Sequence, residues 1–265
     1  MSVFKNVKKE DLTPLLNKNF GVDKPKTIYE VARYKNNDAT LVLYTSGKLV
    51  VQGKEATKVT KELEKHGLEK IKQQQFRKED GWMIGSDESL KGDTFGGITV
   101  AAVRADDTIR KKLKEIGVAD SKKLKDKEIF YLADQIKRIA PCEIISMLPE
   151  EYNKEKSQTD LLNKLHKNSA KDLGNGQHVV DKYPGCRVGS IRETKAEEKY
   201  LEVAAASILA RAAAVHQIEF LSAEAGFLLP KGSTHVKLAL QELKLKKLSF
   251  RKFVKLHFKN VEEFL

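Results

Sequence analysis

Strict alternation of apolar and polar positions marks the early part of the chain. In Ala39 to Lys54, ATLVLYTSGKLVVQGK, the residues Leu41, Leu43, Leu49 and Val51 recur at every second position on either side of Ser46-Gly47. A period of two with a Ser-Gly break predicts two strands joined by a turn, with these four residues on one face. From Glu55 to Ile71 the spacing becomes helical, with Val59 and Leu63 four apart, and an amphipathic helix is expected. KQQQFRKEDG then offers few apolar anchors and reads as a linker, with a domain boundary near residues 73 to 80.

From Trp82 onward strands and helices intermix. MIGSDE and GGITVAAVRA predict a hairpin around a polar turn. TIRKKLKEIG predicts a helix ended by Gly117, and KDKEIFYLADQIKRIA another stopped by Pro141. CEIISML reads as a strand, PEEYNKEKSQTDLLNKLHKNSAKDLG as helix through much of its length, QHVVDKY as a strand ending in an acid, and CRVGSIR as a further strand. TKAEEKYLEVAAASILARAAAVHQIEFL carries the longest helical signal. Its centre is apolar on nearly all sides, as expected of a helix buried against a sheet. Short basic helices are expected from Ser233 on. The class is α/β.

Composition narrows the picture. A chain of 265 residues allows one large domain or two unequal ones, and 40% hydrophobic with 32% charged residues describes a soluble globular chain. No stretch approaches ~18 uninterrupted apolar residues, so no membrane span is expected. MSVFKNVKKEDLTPLL lacks the apolar core of a signal peptide, and a cytoplasmic location is expected. The formal charge of +12 favours a polyanionic partner, most often nucleic acid, over a lysine surface that serves only solubility. Cys142 and Cys186 have no metal-type spacing and are expected to be small buried residues without a disulfide.

The candidate chemistry sits in GSDESLKGDTFGGITVAAV, Gly85 to Val103, where Asp87, Glu88 and Asp93 crowd Lys91 at the edge of an apolar strand. A P-loop needs lysine directly after glycine; here Lys91 precedes Gly92, and acids stand where phosphate would go. Hard divalent cations fit better, because they take carboxylate oxygens. Two further acids end core elements: Asp181 closes the strand HVVD, and Glu197 opens the alanine-rich helix. Each acid also has a structural reading. An Asp-Glu pair makes a charged turn, Asp181 caps a strand, and Thr194-x-x-Glu197 matches a capping box. Asp93 and Asp120 read as turn residues. On spacing alone, both readings stand.

Taken together, GSDESLKGDTFG, VADSKKL, PEEYNKE, TKAEEKYLEVAAASILAR and LPKGS resemble, in order, the type 2 ribonuclease H family, and within it the ribonuclease HIII branch, over residues 82 to 235. The hairpin YTSGKLVVQGK resembles that branch's leading domain, which the ribonuclease HII branch lacks. The resemblance implies a TATA-box-binding-protein-like α+β substrate-binding domain over 1–75 and a linker over 76–81. A ribonuclease H-like α/β catalytic domain over 82–265 would follow, a mixed sheet flanked by helices with further C-terminal helices. It also implies an endoribonuclease that hydrolyses the RNA strand of RNA–DNA hybrids, leaving 3′-hydroxyl and 5′-phosphate ends. Two Mg²⁺ or Mn²⁺ ions roughly 4 Å apart would do this work. Asp87, Glu88, Asp181 and Glu197 match the family's four catalytic, metal-binding acids, and Glu rather than Asp at 197 is the HIII form. This chemistry needs no histidine, so His166 and His178 are expected at the surface or in packing, with a role in product release left open.

Substrate selection in this family rests on backbone contacts to the 2′-hydroxyl from a Gly-x-Gly turn after the Asp-Glu pair. Here Ser89, Leu90, Lys91 and Gly92 occupy that turn, with Leu90 in place of the first glycine. Glycine permits positive φ and close approach, whereas leucine does so at a cost, and Lys91 is then expected to carry more of the phosphate contact. Gly97 is a second departure, standing where the family often has proline. Ser121 and Lys122, in Asp120-Ser121-Lys122-Lys123, match a loop that meets the nucleic-acid backbone. A monomer bound to RNA–DNA hybrid is expected. The rival readings are a non-catalytic hybrid or duplex binder, and ribonuclease HII-like cutting at single embedded ribonucleotides.

Overall fold

The alternation at Leu41, Leu43, Leu49 and Val51 produces the inner face of an antiparallel sheet, and all four are buried. The computed structural model describes residues 2–13, 20–70, 76–118, 124 and 126–265. They form two compact units, Met1–Gln73 and Gln74–Leu265. In the first unit the strands β1 (Ser2–Phe4), β2 (Gly21–Asp23), β3 (Glu30–Lys35), β4 (Thr40–Tyr44) and β5 (Leu49–Gln52) pair antiparallel in the order β1-β5-β4-β3-β2. The expected turn lies at Gly47, with φ of 76°. Helix α1 (Ala56–Lys65) sets Val59 and Leu63 into one core with Phe4, Tyr34 and the four alternating residues.

Two expectations change in this unit. The helix stops at Lys65 rather than running to Ile71, because Gly67 turns left-handed at φ 81° and Leu68 N–H bonds back to the Leu63 carbonyl at 3.1 Å. Three strands accompany the expected pair. β3 alternates too, but two of its inward positions are Glu30 and Ala32, which carry a weak apolar signal.

The second unit is built on a mixed five-stranded sheet. Its strands are β6 (Met83–Ser89), β7 (Ile98–Ala105), β8 (Cys142–Met147), β9 (Gln177–Asp181) and β10 (Ile191–Glu193), in the order β10-β9-β6-β7-β8. β6, β7 and β8 run antiparallel, while β9 lies parallel to β6 and β10 parallel to β9. Helices α2 (Asp107–Glu115), α3 (Asp126–Ile139) and the long α6 (Leu201–Ala225) join Ala101, Val103 and Ala105 of β7 in one core. Small side chains let α6 approach closely. At Gly85 an added Cβ would lie 2.3 Å from the Val203 backbone nitrogen, so only glycine fits where strand and helix meet. By length and composition α6 could cross a membrane; here most of it is buried as the domain's central helix. On the opposite side, α4 (Pro149–Tyr152) and α5 (Gln158–Lys171) supply Tyr152, Leu161, Leu162 and Leu165 to a core with Ile98, Val100 and Val180. Helices α7 (Lys237–Leu245) and α8 (Lys259–Glu262) complete the unit.

Three segments differ from expectation. PEEYNKEKSQ breaks into two helices, because Ser157 takes an extended backbone and caps α5 through Asp160 N–H. CRVGSIR yields a strand only from Ile191, since Gly189 has φ of 83° and threads tightly past His178 and Val180. The alanine-rich helix begins at Leu201, not Thr194: Lys195 adopts φ of 55°, and a short 3₁₀ turn over Ala196–Glu198 intervenes. The capping box at Thr194 and Glu197 therefore does not form. In the 76–81 segment, Arg77 N–H bonds the Lys199 carbonyl at 2.9 Å, and Arg110 bonds the carbonyls of Glu79 and Gly81. Cys142 and Cys186 are free and half-buried rather than fully buried.

Candidate active site

The parallel arrangement of β6, β9 and β10 sends their C-terminal ends to one edge of the sheet. Ser86 pairs with Val180, which sets Asp87 and Asp181 level on neighbouring strands, and Asp181 pairs with Glu193. The 3₁₀ turn carrying Glu197 follows directly and is pinned by the Ala196 N–H, which donates to Asp181 Oδ1 at 3.0 Å. A second clasp closes the same loop. Glu193 accepts from Lys199 Nζ at 2.7 Å, Tyr200 Oη at 2.9 Å and Arg77 at 2.5 Å. The structure thus brings Asp87, Glu88, Asp181 and Glu197 to one edge.

Alternation along β6 separates the first two acids. Asp87 faces α6, where Ser207 hydrogen bonds it, while Glu88 faces α5 and His166. Their charge states diverge accordingly. Burial, then repulsion from Glu88, pushes the Asp87 carboxyl up to about 8, against the hydrogen bond from Ser207. Burial also pushes Glu88 upward, but His166 and Lys91 outweigh it and hold the carboxyl below its usual range. Asp181 is raised by burial and by the charges of Glu197 and Glu88, with the Ala196 N–H opposing.

An all-carboxylate donor set with excess negative charge suits a hard divalent cation. The protein already supplies a monovalent substitute: Lys91 Nζ lies 2.5 Å from Glu88 Oε1 and 5.3 Å from the centre of the Tyr183 ring. Among the described residues, no three His, Cys, Asp or Glu side chains close on one point as a finished cage. The donors fit the group in chemistry, as carboxylates gathered at one sheet edge.

The turn after the acids answers the question raised by Leu90. Leu90 has φ of 66°, the left-handed conformation that glycine would adopt at no cost, and Asp93 N–H closes the turn on its carbonyl at 3.1 Å. Its side chain is buried among Phe95, Ile218 and Leu221, so the backbone alone can face a ligand. Holding leucine there costs roughly 1–2 kcal/mol, and burying it returns about 1.5–3 kcal/mol. Gly92, by contrast, is exposed and has no positive φ. Ser89 ends β6 half-buried. At Gly97 a Cβ would lie 2.1 Å from the Met147 carbonyl oxygen, and the Gly97 N–H donates to Gln217 Oε1 at 2.7 Å; proline could satisfy neither condition. The fully buried Lys255 braces the far side of the turn, donating to the carbonyls of Asp93 at 2.6 Å and Gly96 at 3.0 Å. Ser121 and Lys122 lie outside the described residues.

Sequence reasoning missed the histidines. His166 is fully buried, with Nε2 3.2 Å from Glu88 Oε2 and Nδ1 2.8 Å from Ser86 Oγ; His178 Nε2 reaches the same hydroxyl at 2.8 Å. The expectation of surface or packing positions holds as packing, and both rings also hydrogen bond Ser86. Their positions, twelve apart on different elements, give no local pattern, and only the pairing of β6 with β9 beneath α5 assembles them.

Comparison with known proteins identifies relatives of this chain. Residues 84–261 match the family model described as Ribonuclease HII, and residues 6–76 match a domain of unknown function, DUF3378. The chain is 34% identical to Ribonuclease HIII of Chlamydia pneumoniae, across 94% of this chain and 92% of that one. The crystal structure of Bst-RNase HIII in complex with Mn²⁺ superposes with a TM-score of 0.63 at 25% identity, covering 99% of this chain and 97% of that one. The ribonuclease HII in its complex with PCNA from Archaeoglobus fulgidus superposes with a TM-score of 0.60 at 26% identity, but covers only 68% of this chain and 96% of its own.

Proposed function

This chain belongs to the ribonuclease HII family, on its ribonuclease HIII branch, and from that membership we propose how its own residues divide the work. It is a metal-dependent endoribonuclease that cleaves the RNA strand of RNA–DNA hybrids with Mg²⁺ or Mn²⁺ as cofactor. We assign Asp87, Glu88, Asp181 and Glu197 as the metal-holding acids. The observation that carries this is their gathering at one sheet edge with Asp87 so destabilised as an anion that its carboxyl rises to about 8. Two bound divalent ions supply an activated water and neutralise charge on the leaving 3′-oxygen.

The protein's part is placement. Asp87, with its carboxyl raised to about 8, would release its proton to solvent on binding a divalent ion. Glu88 keeps a charged carboxylate, with His166 on one oxygen and Lys91 on the other. Lys91, now on Glu88 Oε1, would be free to meet a substrate phosphate if a divalent ion took that oxygen. The turn over Ser89, Leu90, Lys91 and Gly92 presents backbone groups to the 2′-hydroxyl. Ser121 and Lys122 meet the nucleic-acid backbone, and the products carry 3′-hydroxyl and 5′-phosphate ends. The first unit, assigned over 1–75, acts as the substrate-binding domain of TATA-box-binding-protein type; its five-stranded antiparallel sheet with a helix on one side supports this reading. The protein works as a cytoplasmic monomer.

The test is a cleavage assay with Mg²⁺ and Mn²⁺ in turn on two substrates, a uniform RNA–DNA hybrid and a DNA duplex with one embedded ribonucleotide. Cutting of the uniform hybrid alone is expected. Cutting at the single ribonucleotide would assign ribonuclease HII-like specificity instead, and an uncut hybrid would overturn the reading.

A further inference from the structure

A chain of contacts runs from the outer surface of the sheet to Glu88. His178 borders an open groove shared with Lys167, Lys171 and Arg187. Its Nε2 lies 2.8 Å from Ser86 Oγ, that oxygen lies 2.8 Å from His166 Nδ1, and His166 Nε2 lies 3.2 Å from Glu88 Oε2. Ser86 and His166 are fully buried.

Hydrogen-bond chemistry fixes the end of this chain at Glu88. The Ser86 hydroxyl has one proton and faces two ring nitrogens, so it donates to one and accepts from the other. Glu88 accepts, so the nitrogen facing it, His166 Nε2, carries a proton. With His166 Nδ1 bare, Ser86 donates to His166 and His178 Nε2–H donates to Ser86; with Nδ1 protonated, Ser86 accepts from His166 and donates to His178. Either way every contact is satisfied and His166 Nε2 donates to Glu88. Burial, the largest cause, holds His178 down at about 4, which agrees with a neutral outer ring.

We propose that His178, Ser86 and His166 form a hydrogen-bond relay that positions Glu88, fixing its Oε2 and leaving Oε1 as the oxygen offered to the cation. The proposal rests on the assignment of Glu88 as a metal-holding acid. All three are positioning residues. They orient a carboxylate as an outer shell of hydrogen bonds orients a metal ligand, and loss of such a partner typically weakens metal binding by about 10–100-fold. The stack of His166 on Tyr183, 5.4 Å between ring centres, holds the ring in plane for both bonds.

The experiment has two readouts on the full chain. The first is the tautomer of each ring, from long-range ¹⁵N–¹H correlation on the metal-free protein. A proton on His166 Nε2 is expected; a bare His166 Nε2, which cannot donate to Glu88, overturns the relay. The second is Mn²⁺ affinity by calorimetry, without substrate. Ser86→Ala keeps the volume and should weaken Mn²⁺ binding about tenfold, as should His178→Leu. His178→Gln, whose amide can still donate to Ser86, should recover most of the loss. Unchanged affinity in Ser86→Ala, with a folded protein by circular dichroism, overturns the positioning role. Glu88→Gln separates the two ideas: intact Mn²⁺ affinity there overturns the metal assignment itself, and with it the relay's purpose, whatever the tautomers.

Discussion

Two buried charged regions flank helix α6, and they are built on opposite rules. At its first turn, Glu202 receives Arg110 Nε at 2.5 Å, and the rest of that guanidinium bonds Asp107 and the carbonyls of Glu79 and Gly81. Charge there is matched and nearly every donor is used. At the adjoining sheet edge, Asp87, Glu88, Asp181 and Glu197 gather with Lys91 as the cation on Glu88, and the turn beside them holds a left-handed leucine. A matched buried pair keeps a fold together. An unmatched one lowers stability and is retained where a ligand completes it.

The largest effect that can break this comparison is on catalysis. Asp87→Asn should abolish hybrid cleavage while leaving hybrid binding by gel shift nearly intact. Retained cleavage would remove the acid edge from the chemistry. On the matched side, Arg110→Leu should leave a buried, uncompensated Glu202 and cost about 3–5 kcal/mol in urea unfolding, with Mn²⁺ affinity of the folded fraction unchanged. A change below about 1 kcal/mol would show that the pair is not structural.

The pH dependence sharpens the contrast. Asp87 ordinarily titrates near 3.8 and here near 8, so between those values the folded state holds a proton that the unfolded state has released. Its contribution is fully present below pH about 4 and is lost as pH rises toward 8, at up to about 1.4 kcal/mol per unit. Metal-free protein should therefore lose stability across that window. Asp87→Asn, or saturating Mn²⁺, should flatten the slope.

The smallest effect concerns Leu90. Truncation to Ala removes the buried side chain but keeps the strain, whereas Gly removes both. Leu90→Gly should thus be more stable than Leu90→Ala by about 1 kcal/mol, the reverse of the usual order of the two residues. Equal or inverted stabilities in denaturant titration would mean that the left-handed turn stores no strain.

Much of this was legible in the chain. The period of two at Leu41 to Val51, the apolar continuity of Ala204 to Ala214 and the stop at Gly117 are local signals, and each produced the expected element. The acids could be singled out because they interrupt or end apolar runs, although only the family resemblance raised them above ordinary turns and caps. What stayed hidden were relations between distant segments. Nothing near Glu197 announced that Lys195 would turn left-handed and delay the helix to Leu201, and nothing near Leu90 announced the C-terminal cluster that holds its strained backbone in place. By itself the sequence determined the strongly periodic strands and helices and that acids stand near their ends, because periodicity and turn chemistry act over a few residues. Only the tertiary structure decided that Asp87 would hold a proton and Glu88 would not, because burial and the partners Ser207, His166 and Lys91 set those charges from strands and helices far apart in the chain.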